Sequence, residues 1–250
     1  MYTKKLAALL AERAELDANL SRKLLKSILQ QAIQGKLVSQ DPSDEPASVL
    51  LERIKEEKAK LFKEGKLKKK DLVDSVIFKG EDNKYYETID GITTPIESVF
   101  DYPDSWEIMR LRSICVLIDG VKKFGSQVCL DAKYLRGKAS ATYLQQGKFV
   151  EKGDNIILVD GENSGEVFTV PIDGYMGSTF KQLWISKKLY LPYVLAIIRF
   201  YKDELRNSKK GAAIPHLNKE IFNNLLIGIP PYDEQVRIAG KLEAVISSMN

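Results

Sequence analysis

Apolar side chains recur at helical spacing in the first stretch of the chain. Leu6, Leu9, Leu10, Leu16, Leu20, Leu24, Ile28, Ala32 and Ile33 lie mostly three and four residues apart, which predicts one amphipathic helix ending near residue 33. Neither Gly nor Pro interrupts it before Gly35, a suitable terminator that is followed by Lys36. At about 1.5 Å per residue this helix is roughly 50 Å long, more than a small domain covers, so part of it is expected to pack against another long helix. A polar connection over 39–46 leads to a second amphipathic helix from Ala47 to Lys63, with Leu50, Ile54, Leu61 and Phe62 as its stripe. Pro46 suits its first turn, and Asp44 and Glu45 suit its positive end.

From about residue 71 the pattern shortens to runs of Val, Ile, Tyr and Phe punctuated by Gly, Asp and Asn. Strands are expected at Val73–Lys79, Lys84–Thr88, Ile114–Ile118, Val128–Leu130, Ile156–Val159, Val167–Val170 and Gln182–Ser186, with a loop from Pro95 to Pro103 leading into Trp106. Tyr190–Ser208 reads as a helix, and Asn218–Leu225 as a shorter one capped by Asn218. Pro230 and Pro231 then introduce a last helix, in which Ile238, Leu242, Val245 and Met249 follow one another at steps of four, three and four. That narrow stripe is the signature of a coiled-coil seam. The fold class is therefore mixed α/β: a domain of strands and a few helices over 71–230, between a helical region (1–70) and a C-terminal helix (231–250).

Charge changes this picture once it is divided along the chain. The 250 residues carry 38 Lys and Arg against 34 Asp and Glu, a net charge of +4. Residues 1–79 hold 17 basic and 12 acidic groups, and residues 80–250 hold 21 and 22, so the larger part has no basic excess. A nucleic-acid role must rest on local arrangement rather than bulk charge. The run Lys66-Leu-Lys-Lys-Lys70 is either a solvated linker face or a phosphate contact. Two cysteines, Cys115 and Cys129, and one histidine, His216, are too few for a Cys/His zinc site, and both thiols are expected buried and reduced. The apolar run Leu189–Phe200 is broken by Pro192 and Arg199, short of the roughly 20 residues of a membrane span. The basic and apolar start resembles a signal peptide, but Glu12, Arg13, Glu15 and Asp17 end the apolar run early, so a cytoplasmic location is expected.

Catalytic motifs fit poorly. Ile229-Pro-Pro-Tyr232 resembles the Asn/Asp-Pro-Pro-Tyr/Phe motif of adenine methyltransferases, but isoleucine cannot accept the hydrogen bond of a flipped base's amine. Asp160-Gly-Glu-Asn-Ser-Gly165 has no Gly-Lys-Ser/Thr ending and is not a phosphate-binding P-loop; it reads as a tight turn that could also offer Asn163 and Ser164 to DNA. Pro103-Asp104 is not followed by the Glu-x-Lys of a nuclease metal motif, and His216 has no partner assignable as a triad. A non-catalytic protein without a cofactor or metal is expected.

The order of the remaining pieces is distinctive. Ile28-Leu-Gln-Gln-Ala-Ile-Gln-Gly-Lys-Leu-Val-Ser-Gln-Asp-Pro42, then Glu45 to Lys58 and Gly65-Lys66, resembles the conserved spacer region of specificity subunits of type I restriction-modification systems. Trp106 leading into Leu111, Gly153-Asp154 before an apolar strand, Gly211–Asn218 before a short helix, and Ile229-Pro-Pro-Tyr-Asp-Glu-Gln-Val-Arg-Ile238 are similar to the same family. The final Pro-Pro-x-x-Glu-Gln-x-x-Ile is the most specific signal. The resemblance implies a sequence-specific DNA reader with a target recognition domain flanked by long coiled-coil-forming helices that dock methyltransferase subunits and, through them, restriction subunits. A complete subunit of that family has two recognition domains; this sequence shows one and so resembles half of a subunit. Pairing of two copies would restore two readers.

On that basis the partner interface is expected at Leu6, Leu9, Leu16, Leu20, Leu24, Ile28, Ile238, Leu242, Val245 and Met249. Phosphate contacts are expected from three basic pairs on Gly-bearing loops, Lys122 with Lys123, Arg136 with Lys138, and Lys209 with Lys210. Base contacts are expected among Ser140, Thr142, Tyr143, Asn163, Ser164, Ser178, Thr179, Lys181 and His216. The competing reading from the same residues is a coiled-coil adaptor whose mixed domain binds protein.

Overall fold

A computed structural model describes residues 2–72, 75–98, 100–207 and 216–249. Helix α1 (Tyr2–Ile33) ends as its composition dictates: Gly35 takes a φ of +69°, and the N–H groups of Gly35 and Lys36 return to the carbonyls of Ala32 (3.3 Å) and Gln31 (2.9 Å). A Cβ at Gly35 would lie 2.4 Å from Pro103 Cγ, so close packing demands the same residue. Only the last turns of α1 join the core, through Leu29, Ala32 and Ile33, while Leu6, Leu9, Leu10, Leu16, Leu20 and Leu24 are exposed. Helix α2 (Ala47–Lys63) has the predicted bounds and buries Ala47, Leu50 and Ile54.

The described residues of the mixed region form four small sheets. β1 (Val76–Lys79), β2 (Tyr85–Ile89) and β3 (Ile92–Ile96) form an antiparallel meander. β3 lies partly where a loop was expected. Asp90 and Gly91, both with positive φ, make the two-residue turn that pairs Ile89 with Ile92, and this Asp-Gly pair was the overlooked sign. β4 (Glu107–Arg110) is followed by β5 (Cys115–Ile118), β6 (Val121–Leu130), α3 (Ala132–Leu135), β7 (Tyr143–Val150), β8 (Asn155–Leu158), β9 (Val167–Thr169), β10 (Gly174–Met176) and β11 (Phe180–Ile185). α4 (Leu191–Asn207), α5 (Lys219–Asn224), β12 (Leu226–Ile229) and α6 (Tyr232–Ser248) complete the chain. β5, β11, β8 and β9 form a four-stranded antiparallel sheet, β12 pairs with β4, and β6, β7 and β10 close into a small barrel.

β6 reaches seven residues further back than the expected strand at Val128–Leu130, and β7 was not anticipated. Gly125, Gly147 and the glutamines break the apolar runs by which strands are recognised. The start of the expected strand at Val73 lies outside the described residues.

One large core runs through all three expected regions: Leu29 and Ile33 of α1, Leu50 and Ile54 of α2, Trp106, Leu111, Ile185, Tyr193 and Ile198 of the mixed region, and Ile238 and Leu242 of α6. A smaller cluster, with Leu130, Val150, Ile156 and Phe180, supports the barrel. The expected C-terminal seam is therefore corrected. Ile238 and Leu242 are buried in the chain's own core, where α1, α4 and α6 pack against one another, and only Val245 and Met249 remain half-exposed. Cys115 is buried and Cys129 half-buried, both free. Among the described residues no helix is long and apolar enough to cross a membrane.

The Pro-Pro-x-x-Glu-Gln signature acquires a physical role. Glu234 and Gln235 are buried. Trp106 Nε1 (3.1 Å) and Gln40 Nε2 (3.3 Å) donate to Glu234 Oε1, and Gln235 accepts from the Tyr190 N–H (2.9 Å) while donating to the Pro230 carbonyl (2.9 Å). Arg237 makes a two-pronged pair with Asp44 (3.0 and 2.6 Å). The motif is a joint that fastens α6 to the spacer loop. Burial pushes the Glu234 carboxyl above its ordinary range, against the lowering effect of the two donors.

Candidate nucleic-acid interface

The segment from β6 to β7 holds seven of the fifteen expected contact residues. Lys122 and Lys123 lie on strand β6 rather than on a loop, and both are exposed. The ammonium of Lys123 sits 3.7 Å from the centre of the Phe149 ring, and that of Lys122 is 5.4 Å from Phe124. Asp131 caps α3 by accepting from the N–H groups of Lys133 (2.8 Å) and Tyr134 (2.9 Å), and this short helix presents the connection to β7. Along that connection Lys138, Ser140 and Thr142 are exposed, as is Tyr143 on β7.

Backbone bonds carry the line onward. The Gly177 N–H donates to the Leu130 carbonyl, which sets Ser178 and Thr179, both exposed, beside the start of α3. The Val159 N–H donates to the Thr179 carbonyl (2.8 Å), and the Leu217 N–H to that of Val159 (2.8 Å). His216 thus reaches the same edge, its Nδ1 lying 2.6 Å from Asp160 Oδ1, and exposed Asn163 follows in the adjoining turn.

Other expected contacts are spent inside the fold. Ser164 is fully buried, with its Oγ unpartnered, and is corrected from the list of base readers, because no solvent-facing atom remains to meet a base. Arg136 pairs with Glu166 and lies over the Phe168 ring, tying α3 to β9; the Glu166 carboxylate raises its pKa further. Lys181 is similarly engaged by Asp119, whose carboxyl is pulled down by that contact. Lys209 and Lys210 lie outside the described residues.

A cleft of about 1360 Å³ separates the end of α2 from β5, β11 and the start of β6. Its rim mixes Lys60, Lys66, Lys68 and Lys123 with Glu57, Glu64 and Asp154, so it presents no single sign of charge. Among the described residues no group of three His, Cys, Asp or Glu side chains could hold a metal ion.

What this edge can do chemically is bind. Ammonium groups meet anions, and hydroxyls, an amide and an imidazole exchange hydrogen bonds with polar edges. Sequence comparison places the chain. Residues 103–250 match the family described as the type I restriction modification DNA specificity domain. The specificity subunit of the type I restriction enzyme EcoAI of Escherichia coli is 30% identical over 253 residues, covering 91% of this chain and 40% of that protein. The specificity subunit of EcoEI, also from Escherichia coli, is 30% identical over 245 residues, 88% of this chain and 38% of that protein. That of MjaVIII from Methanocaldococcus jannaschii is 32% identical over 152 residues, 55% of this chain and 35% of that protein. Among solved structures, the HsdS subunit of Thermoanaerobacter tengcongensis aligns with 96% of this chain and 49% of its own, at 17% identity and a TM-score of 0.46. The chain belongs to the type I restriction-modification specificity family. It spans about 40% of the length of the EcoAI and EcoEI subunits.

Proposed function

We propose that this chain is a DNA-reading specificity component that recognises one part of a split target, holds methyltransferase subunits through its helices, and pairs with a second copy to supply two readers. The observation that carries the DNA reading is the exposed edge from Lys122 and Lys123 through Lys138, Ser140 and Thr142 to His216, within a region matched to the DNA specificity family. Lysines position the duplex through its phosphates, and the polar groups between them face base edges. Pairing is supported by α1, whose Leu16 and Leu20 are 63% and 66% exposed on a helix long enough to meet its symmetry mate along a two-fold axis.

The test is a salt titration of duplex binding by the full chain. Replacing Lys122 and Lys123 with Ala is expected to weaken binding to every sequence and to reduce the log–log salt slope by about 2, near 0.9 per phosphate contact. An unchanged slope removes these lysines from the interface. Sedimentation of the free chain as a strict monomer at micromolar concentration overturns the pairing.

A further inference from the structure

The β6–β7 register sorts side chains that the sequence leaves undistinguished. Cross-strand partners share a face. One face carries the pairs Val121 with Phe149, Lys123 with Gly147, and Val128 with Tyr143. The other carries Lys122 with Lys148, Phe124 with Gln146, and, past a one-residue bulge at 125–126, Gln127 with Leu144. Tyr175 of β10 covers the middle of the first face, so closely that a Cβ on Gly147 would lie 2.6 Å from the Tyr175 ring, and Tyr175 Oη donates to the Gly125 carbonyl (2.8 Å). On the second face Lys122, Phe124, Leu144 and Gln146 are exposed.

We propose that this second face enters the major groove and reads A·T pairs, Gln146 and Gln127 taking adenine edges while Phe124 and Leu144 meet thymine methyl groups. The inference rests on the DNA-reading proposal above and names the residues that specify sequence. Three observations carry it. Neither strand contains an Asp or Glu, whereas together they hold Lys122, Lys123 and Lys148, a local cationic field in a region without net basic charge. Lys122 stands directly opposite Lys148, an arrangement unfavourable in the free chain that a phosphate would relieve; Lys148 is 3.7 Å from Asp119, a carboxylate it shares with Lys181. Beyond these lysines the face presents Phe124, 78% exposed, and, past the bulge, Leu144, together with two glutamines whose amides have no partner among the described residues. A two-stranded ribbon fits the major groove, and Gln reads adenine there through N6 and N7 while an apolar side chain reads the thymine methyl.

The experiment selects from a library of duplexes with randomised cores, using the full chain and its variants. The wild type is expected to enrich a sequence containing A·T pairs. Gln146→Ala and Gln127→Ala should each relax one of them, roughly tenfold to a hundredfold in discrimination. Gln146→Glu, nearly isosteric on an exposed face, should move that position toward cytosine, whose N4 amine a carboxylate accepts. If the wild type selects a sequence and the variants at Gln127, Gln146 and Phe124 select the same one with equal stringency, the ribbon is not the reader and the inference falls while the DNA reading stands. If the wild type enriches no sequence, the DNA reading itself falls.

Discussion

Trp106 and Phe124 stand at opposite ends of exposure, 5% and 78%, and the contrast separates what holds this molecule from what it offers. The indole stacks on Tyr102 (ring centres 6.2 Å apart, 27° between planes), meets Tyr193 edge-on, and donates to Glu234 beneath α6. Both apolar area and the polar tip are satisfied, which is how a large aromatic stabilises a core. Phe124 is given to solvent on the β6–β7 ribbon, with the Lys122 ammonium 5.4 Å from its ring centre. A single exposed aromatic is ordinary, but Phe124 and Leu144 are both exposed on one face of the ribbon, and grouping is the mark of a contact surface.

The sharpest way to break this contrast is at the joint. Trp106→Ala should cost about 3–5 kcal/mol in urea unfolding, combining a large cavity with a buried Glu234 that has lost a donor. A loss below about 1 kcal/mol would mean that the joint is dispensable. Next comes the pair that ties β2 to β4: Arg110 Nε donates to Glu87 Oε1 (3.0 Å), both side chains are largely buried, and this contact holds the Glu87 carboxyl below its ordinary range. A lowered folded-state pKa contributes stability that is present above the unfolded value and lost as pH falls through the folded one. Thermal melts should therefore fall below about pH 4. Glu87→Gln should cost on the order of 2 kcal/mol at neutral pH and flatten that acid limb. The smallest effect belongs to the ribbon. Phe124→Ala should change folding stability by less than about 0.5 kcal/mol. A larger loss would show that the ring supports the barrel and so blur the division between holding and offering.

Legibility in the sequence followed the same division. α2 lay where its stripe placed it, and α1 ended where Gly35 required, because helix periodicity and terminators are local. The ribbon was largely missed. Its strands are held by pairing across an intervening helix and by closure on Tyr175, neither of which leaves a periodic trace. Among the expected contacts, Lys122, Lys123, Lys138, Ser140, Thr142 and Asn163 do reach the surface, while Ser164 does not; the turn that contains both residues is readable, but which of its side chains faces inward is not.

From residue types alone came the family, the mixed fold class, the two N-terminal helices, and a near-neutral larger region needing local rather than bulk charge. Tertiary structure decided how the leucines are used. The last turns of α1 are buried while six earlier leucines stay exposed, and Ile238 and Leu242, spaced like a coiled-coil seam, are spent in the chain's own core. It also paired Arg136 with Glu166 and Lys181 with Asp119, and left Lys122, Lys123 and Lys148 together on strands without a carboxylate. The physical reason is range. Periodicity and capping act within a few residues and are written in order along the chain, whereas burial and charge pairing depend on which distant segments the closed barrel and the shared core bring into contact.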